Sequence, residues 1–242
     1  MKLSIIIPVY NEYKYFEDLI TKVIDVNLDY LDIKKEIIII ESNSTDGTRA
    51  LVEEYRNNPI IKIIYQNKPM GKGNAVIEGF KHVTGDIILI QDADLEYKPE
   101  EYPQLLMPIL NGNCDFVLGS RHLGKQTWKI REFDSRKIYA MTVNLGSEAL
   151  NTLFFLLYWV KLTDPQTMYK IFRKKCIKGI KWKSNYFSLD WEIVIKLIKK
   201  SYKPIEIPIS YKGRTIEQGK KIKLIRDGLL NLWTIIKFRF IN

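Results

Sequence analysis

At 242 residues, 46% of them hydrophobic and 27% charged, the chain has the size and balance of one large globular domain, and it shows no repeat or low-complexity segment. Its formal charge of +10 points to an anionic partner: nucleotide phosphates, a phosphorylated substrate, nucleic acid or an acidic membrane surface. The two cysteines, Cys114 and Cys176, exclude a disulfide framework, and the isolated His82 and His122 exclude a histidine-based metal site.

The apolar run at 3–9 is too short for a signal-peptide core and reads as a first strand. Residues 12–26 place Tyr15, Phe16, Leu19, Ile20, Val23 and Ile24 at helical spacing. A second buried strand is expected at 36–40, then a short helix at 48–55 with Asp46 as its cap. A third strand at 60–65 leads through the turn Pro69-Met70-Gly71-Lys72-Gly73 to a helix at 74–83. The fourth strand, 86–90, is followed by a helix at 99–110 with Pro99 in its first turn, and by a strand at 115–118.

Beyond that point the pattern loosens. Residues 138–160 predict a helix ending in an apolar stretch too short to span a bilayer, read as a core helix with an interfacial segment as the alternative. A strand at 168–172, a helix at 189–198 and a strand at 202–211 follow, the last with Pro204 and Pro208, which favour a sheet edge. The tail, 220–242, mixes Lys and Arg with Leu, Ile, Trp and Phe in the manner of a basic amphipathic helix suited to a membrane interface. The chain is therefore divided into a domain at 1–219 and a C-terminal helix at 220–242.

Near-continuous apolar strands alternating with helices imply an α/β protein whose mostly parallel sheet is covered on both faces. Ligands of such sheets bind beyond the carboxyl ends of the strands. Tyr10-Asn11-Glu12, Glu41-Ser42-Asn43, Gly71-Lys72-Gly73 and Asp92-Ala93-Asp94 all fall at those ends. Asp92 and Asp94, spaced i and i+2 after a strand, can converge on one point. Oxygen ligands of that kind suit Mg²⁺ or Mn²⁺ shared with substrate phosphates; the alternative is a solvated acidic turn.

In order, Ser4-Ile5-Ile6-Ile7-Pro8-Val9-Tyr10-Asn11-Glu12, Ser44-Thr45-Asp46-Gly47-Thr48, Gly71-Lys72-Gly73-Asn74-Ala75 and Asp92-Ala93-Asp94-Leu95 resemble the family 2 glycosyltransferases of GT-A fold. Gly119-Ser120-Arg121, the run 163–170, the run 205–211, and Arg214 with Gly219-Lys220-Lys221 resemble the dolichol-phosphate mannose (or polyprenyl-phosphate glucose) synthase branch. The resemblance implies a GT-A, Rossmann-like, mostly parallel sheet flanked by helices. It implies an inverting transfer of a hexose from a GDP- or UDP-linked sugar to a polyprenyl or dolichyl phosphate, with Mg²⁺ or Mn²⁺.

By the same resemblance, Pro8, Tyr10, Glu12, Glu41, Lys72 and Asp92 hold the nucleotide sugar, and Asp92, Asp94 and Glu96 hold the metal. Arg121, Arg131, Arg136, Arg214 and Lys221 face the acceptor phosphate, and Asp94, Arg121 and Arg214 are the catalytic groups. An acceptor phosphate is largely ionised at neutral pH and attacks without a base. A sugar hydroxyl, the alternative acceptor, wants a carboxylate, for which Asp164 is the candidate. A further alternative, of another class, is a protein that binds nucleic acid or an anionic membrane. No nucleic-acid motif supports the first of these, so no nucleic-acid partner is expected. The expected location is the cytoplasm, peripherally on the membrane face.

Overall fold

The computed structural model describes residues 1–124, 137–214 and 224–241. Seven strands form one sheet: β1 (Lys2–Val9), β2 (Lys34–Glu41), β3 (Ile61–Tyr65), β4 (Ile87–Ile90), β5 (Phe116–Ser120), β6 (Lys170–Arg173) and β7 (Ile205–Pro208). Their spatial order is β3-β2-β1-β4-β6-β5-β7. Every pairing is parallel except the two made by β6, which runs against both β4 and β5. The expected edge strand is β7, where the ring of Pro208 costs the ladder no hydrogen bond on its open side.

The helices are α1 (Tyr13–Asp25), α2 (Thr48–Glu54), α3 (Lys72–Phe80), α4 (Tyr102–Leu110), α5 (Lys137–Tyr158), α6 (Leu189–Lys199) and α7 (Leu224–Phe240). In the middle of the sheet, Ile5, Ile6 and Ile7 of β1, Ile37 to Ile40 of β2 and Ile87 to Ile90 of β4 are all essentially inaccessible. Both faces of these strands are covered, so their sequence runs apolar rather than alternating. Burial of each such side chain stabilises the fold by about 1.5–3 kcal/mol. α1 buries Phe16, Leu19, Ile20 and Val23, the stripe its spacing predicts. Asp46 does hold the start of α2: its Oδ1 accepts from the Thr48 amide at 3.0 Å.

α5 departs from the expectation of a core helix. Phe154 is buried against Trp191 of α6, with ring centroids 5.4 Å apart, but Met141, Leu145, Phe155, Leu156 and Trp159 are exposed. α7 packs beside α5 through Ile235 and Phe238, which are buried. Tyr158 of α5 donates to the Ile235 carbonyl at 2.8 Å, and Lys199 of α6 donates to the Phe238 carbonyl at 3.1 Å. Ile225, Leu229, Trp233 and Phe240 of α7 remain exposed next to Arg226, Lys237 and Arg239. Among the described residues no helix is long and apolar enough to cross a membrane.

Candidate active site

A cavity of about 1150 Å³ opens at the carboxyl ends of β1 and β4 and continues between α5 and α7. One end is lined by Pro8, Tyr10, Glu12, Lys72, Asp92, Asp94, Glu96, Arg121 and Arg214, so nearly all the nominated residues within the described chain meet there. The part between α5 and α7 is lined by Leu150 and Leu153 of α5 and by Leu229 and Leu232 of α7, together with Ser147, Asp227 and Asn231. Arg131, Arg136 and Lys221 lie outside the described residues.

The carboxylate end is crowded with charge. β4 delivers Asp92 directly after its buried run, and both Asp92 oxygens face the Lys72 ammonium at 2.6–2.7 Å. A turn with Leu95 at φ 58° then brings Glu96 back toward Asp94. A bulky residue in the left-handed region is strained, and such strain concentrates at functional sites. Arg214 closes the other side. Its guanidinium donates to Glu12 Oε2 at 2.7 Å and to Asp94 Oδ2 at 2.9 Å, and its ring-facing side lies over Tyr15. Glu96 anchors the segment that carries it, accepting from the Arg214 amide and from the Tyr211 hydroxyl, both at 2.7 Å.

Four carboxylates, Glu12, Asp92, Asp94 and Glu96, thus meet two cations, Lys72 and Arg214. Burial, then the neighbouring charges of Asp92 and Glu96, push the Asp94 carboxyl up to about 7, and Arg214 offsets this only in part. Arg214 Nε is buried without a hydrogen-bond partner, 3.7 Å from the nearest Glu96 oxygen. The excess negative charge and the all-oxygen donor set fit a hard divalent cation. Among the described residues no three His, Cys, Asp or Glu groups converge closely enough to hold one alone. Mg²⁺ and Mn²⁺ commonly take one or two carboxylates and share the rest of their shell with phosphate oxygens.

Glu41 does not line the cavity. It is fully buried and its oxygens accept from the amides of Ser44, at 2.6 Å, and Asn43, at 3.2 Å, so it shapes the loop while Ser42 lines the cavity. The glycines of the Gly71-Lys72-Gly73 turn are required by neighbouring backbone. A Cβ at Gly71 would lie 2.4 Å from the Asn185 carbonyl, and one at Gly73 2.6 Å from that of Tyr186. The turn is a seat for residues 184–186, and it holds Lys72 toward Asp92.

Arg121 forms a buried two-pronged pair with Asp164, at 2.7 and 2.8 Å, and stacks over the Tyr211 ring at 5.0 Å. Burial opposes charge on Asp164, but Arg121 overcomes this and holds its carboxyl below the usual range. Glu206 of β7 fixes the turn beneath, accepting from the Thr163 and Asp164 amides at 2.8 Å. Asp164 is therefore committed to Arg121 and is not poised as a base. Three residues were not nominated for the site: Tyr211, which ties Arg121 to Glu96, and Lys170, both within runs that carry the resemblance, and Asp190, at the start of α6 on the cavity wall, which carried no signal. Lys170 sits in a run that reads as any short apolar strand with a solvated lysine.

The sheet order, the acidic turn after β4 and the cavity beyond the strand ends define a GT-A-like fold. Its solved neighbours are glycosyltransferases. They include glucosyl-3-phosphoglycerate synthase from Mycobacterium tuberculosis in complex with Mn²⁺, UDP and phosphoglyceric acid, with a TM-score of 0.71 and 15% identity, covering 100% of this chain and 79% of that one. Mannosyl-3-phosphoglycerate synthase from Rubrobacter xylanophilus also gives 0.71 and 15%, covering 98% and 72%. The family model for glycosyl transferase family 2 matches residues 4–181, and the chain belongs to that family. It is 32% identical over 242 residues to dolichol-phosphate mannosyltransferase of Pyrococcus furiosus, covering 98% of this chain and 64% of that protein. It is 34% identical over 143 residues to undecaprenyl-phosphate 4-deoxy-4-formamido-L-arabinose transferase of Proteus mirabilis, covering 58% and 43%. The chain thus spans no more than 64% of the length of these relatives.

Proposed function

We propose that this protein is an inverting glycosyltransferase that moves a hexose from a GDP- or UDP-linked sugar to a polyprenyl phosphate, using Mg²⁺ or Mn²⁺. The observation that carries this reading is the single cavity with a carboxylate end and an apolar end. A nucleotide sugar needs the first; an isoprenoid needs the second. Asp92 and Asp94 would share the metal with the diphosphate, with Glu96 beside them, and the ion would supply Lewis-acid charge to that leaving group.

Pro8, Tyr10, Glu12 and Ser42 line the part of the cavity nearest β1 and β2, where the nucleoside fits. Arg121 and Arg214, together with Arg131, Arg136 and Lys221, would meet the acceptor phosphate. An arginine offers a planar fork to a phosphate and cannot lose its charge. The acceptor oxygen is already ionised, so it attacks the anomeric carbon from the face opposite the diphosphate, with no proton to remove. Asp164, the carboxylate nominated as base for a sugar-hydroxyl acceptor, is paired with Arg121. The exposed apolar residues of α5 and α7, set beside Arg226, Lys237 and Arg239, support a peripheral position on the membrane where such acceptors reside.

The test is incubation of the protein with a panel of UDP- and GDP-sugars, Mg²⁺ or Mn²⁺ and a polyprenyl phosphate, read by mass spectrometry. Glycolipid from one donor, abolished by EDTA, is the expected outcome. Binding of a donor with no glycolipid from any acceptor phosphate would overturn the acceptor assignment.

A further inference from the structure

Glu96 is the third carboxylate that the resemblance gives to the metal, yet its atoms are engaged elsewhere. One of its oxygens accepts from the Tyr211 hydroxyl and the other from the Arg214 amide, both at 2.7 Å. Its main-chain carbonyl accepts from the Lys212 amide at 3.1 Å. Three hydrogen bonds from residues 211–214 therefore end on one residue that lies 115 to 118 positions from its two side-chain donors. In the other direction, the Glu96 amide donates to Asp94 Oδ1 at 3.2 Å. Among the described residues Asp92, Asp94 and Glu96 do not converge as a cage of three carboxylates.

The segment held in this way serves both arginines assigned to the acceptor. Tyr211 lies under the Arg121 guanidinium at 5.0 Å, and its ring also packs on that of Tyr97, the residue after Glu96, at 5.3 Å. Arg214 follows three residues later, and its buried Nε has no hydrogen-bond partner. A buried donor wants an acceptor, and a phosphate oxygen would supply one. After β7 ends at Pro208, the chain has no helix or strand through Arg214. Side-chain contacts rather than a backbone ladder therefore decide where residues 211–214 lie, and Glu96 supplies them.

We infer that Glu96 is a positioning residue for the acceptor rather than a metal ligand: it fixes residues 211–214 so that Arg121 and Arg214 face the acceptor phosphate, and leaves the ion to Asp92 and Asp94. The inference rests on the proposed transfer to a polyprenyl phosphate. A carboxylate suits this task, because hydrogen bonds to a charged acceptor are short and directional. Positioning matters here, because a small misplacement of a substrate-binding group is expensive in rate. Since Glu96 also donates to Asp94, one turn after β4 holds the metal-facing carboxylates and the acceptor-facing arginines in register.

The experiment compares wild type, Glu96→Ala and Glu96→Gln in two readouts. One is Mn²⁺ binding in the presence of the nucleoside diphosphate, followed by electron paramagnetic resonance; the other is the KM of a short polyprenyl phosphate at saturating donor. Glu96→Ala should leave Mn²⁺ affinity unchanged and raise the acceptor KM about tenfold or more, the loss of charge-assisted hydrogen bonds. Glu96→Gln should restore most of the acceptor affinity, because an amide can accept from the Arg214 N–H and donate to the Tyr211 hydroxyl. Tyr211→Phe keeps the ring under Arg121 and removes only the hydroxyl. It should raise the acceptor KM in the same direction, and this effect should vanish in a Glu96→Ala background. If Glu96→Ala fails to fold, Tyr211→Phe and Glu96→Gln carry the test.

A loss of Mn²⁺ affinity in Glu96→Ala comparable with that in Asp92→Asn would make Glu96 a metal ligand and overturn the inference. An acceptor KM that does not move in Glu96→Ala or Tyr211→Phe would overturn it too, as would equal changes in donor and acceptor KM. Absence of turnover by wild type with any polyprenyl phosphate would instead refute the proposed function itself, and the Mn²⁺ readout would still decide whether Glu96 is a ligand.

Discussion

At the sheet edge every charged side chain of the cavity is held by a named partner: Asp92 by Lys72, Asp94 and Glu12 by Arg214, Glu96 by the Tyr211 hydroxyl and the Arg214 amide. Between α5 and α7 the walls carry Leu150, Leu153, Leu229 and Leu232, with Thr142, Ser147 and Asn231 among them. The first end is densely ion-paired and carries more carboxylates than cations; the second is rich in leucine. A site of the first kind selects one charged group in one orientation, because an unpaired buried charge is heavily penalised. A site of the second kind accepts a long hydrocarbon without reading it, because apolar burial has no direction. The contrast suits a reaction that must choose its donor strictly while holding an acceptor by its chain.

The largest expected effect breaks the rigid end. Asp94→Asn should lower glycolipid formation about a hundredfold or more, with an unchanged melting curve and with metal-dependent nucleotide binding lost. Retained turnover would remove the metal from this end of the cavity. Next is Arg214→Ala, at the boundary between the two ends. It should raise the acceptor KM about tenfold or more while the donor KM moves much less, as expected for loss of a cation facing the acceptor phosphate. Equal loss for both substrates would place Arg214 wholly with the donor, alongside its present partners Glu12 and Asp94.

A change at the apolar end should be graded by acceptor length. Leu229→Asp should raise the KM of a long polyprenyl phosphate about tenfold and leave that of a short one unchanged, since each methylene removed from water contributes about 0.8 kcal/mol. The same penalty for both lengths would mean that the chain does not run between α5 and α7.

The smallest effect lies outside the cavity and separates stability from function. Burial raises the Glu36 carboxyl, but hydrogen bonds from Lys2, Ser4 and Thr84 outweigh this and hold it down to about 2. A depressed carboxylate stabilises the fold fully above its ordinary value of 4.5 and loses that contribution as pH falls through about 2. Glu36→Gln should therefore lower Tm by a few degrees at neutral pH, and the gap to wild type should close across that acidic window. Turnover at neutral pH should not change.

Much of the rigid end was legible in the sequence because it is built from local pattern. Uninterrupted Ile runs mark strands buried on both faces, and polar clusters at their carboxyl ends mark the ligand edge, so Tyr10, Glu12, Asp92 and Asp94 could be placed together, with Pro8 added by the family resemblance. What escaped depends on contacts across long sequence separations. Lys170 meets Asp190 twenty residues on, and Arg121 meets Asp164 forty-three residues on. Nothing in the spacing of a lysine within residues 168–172 distinguishes a buried ion pair from a solvated chain. Glu41 shows the reverse case. It sits at the correct strand end, yet its carboxylate turns back onto the Asn43 and Ser44 amides, because a loop with donors two and three residues away captures it first. The run at 138–160 was expected in the core since apolar content alone does not say which faces of a helix find partners; the exposed Leu156 and Trp159 are the result.

The central claim is that one cavity joins a donor end to an acceptor end, and photolabelling tests it most directly. A polyprenyl phosphate carrying a diazirine in its isoprenoid chain would be irradiated with the protein, Mg²⁺ and the nucleoside diphosphate, and the labelled peptides sequenced. The account predicts crosslinks to Leu150, Leu153, Leu229 or Leu232, competed away by unlabelled polyprenyl phosphate. Specific labelling confined to other surfaces, with these helices unmarked, would contradict it.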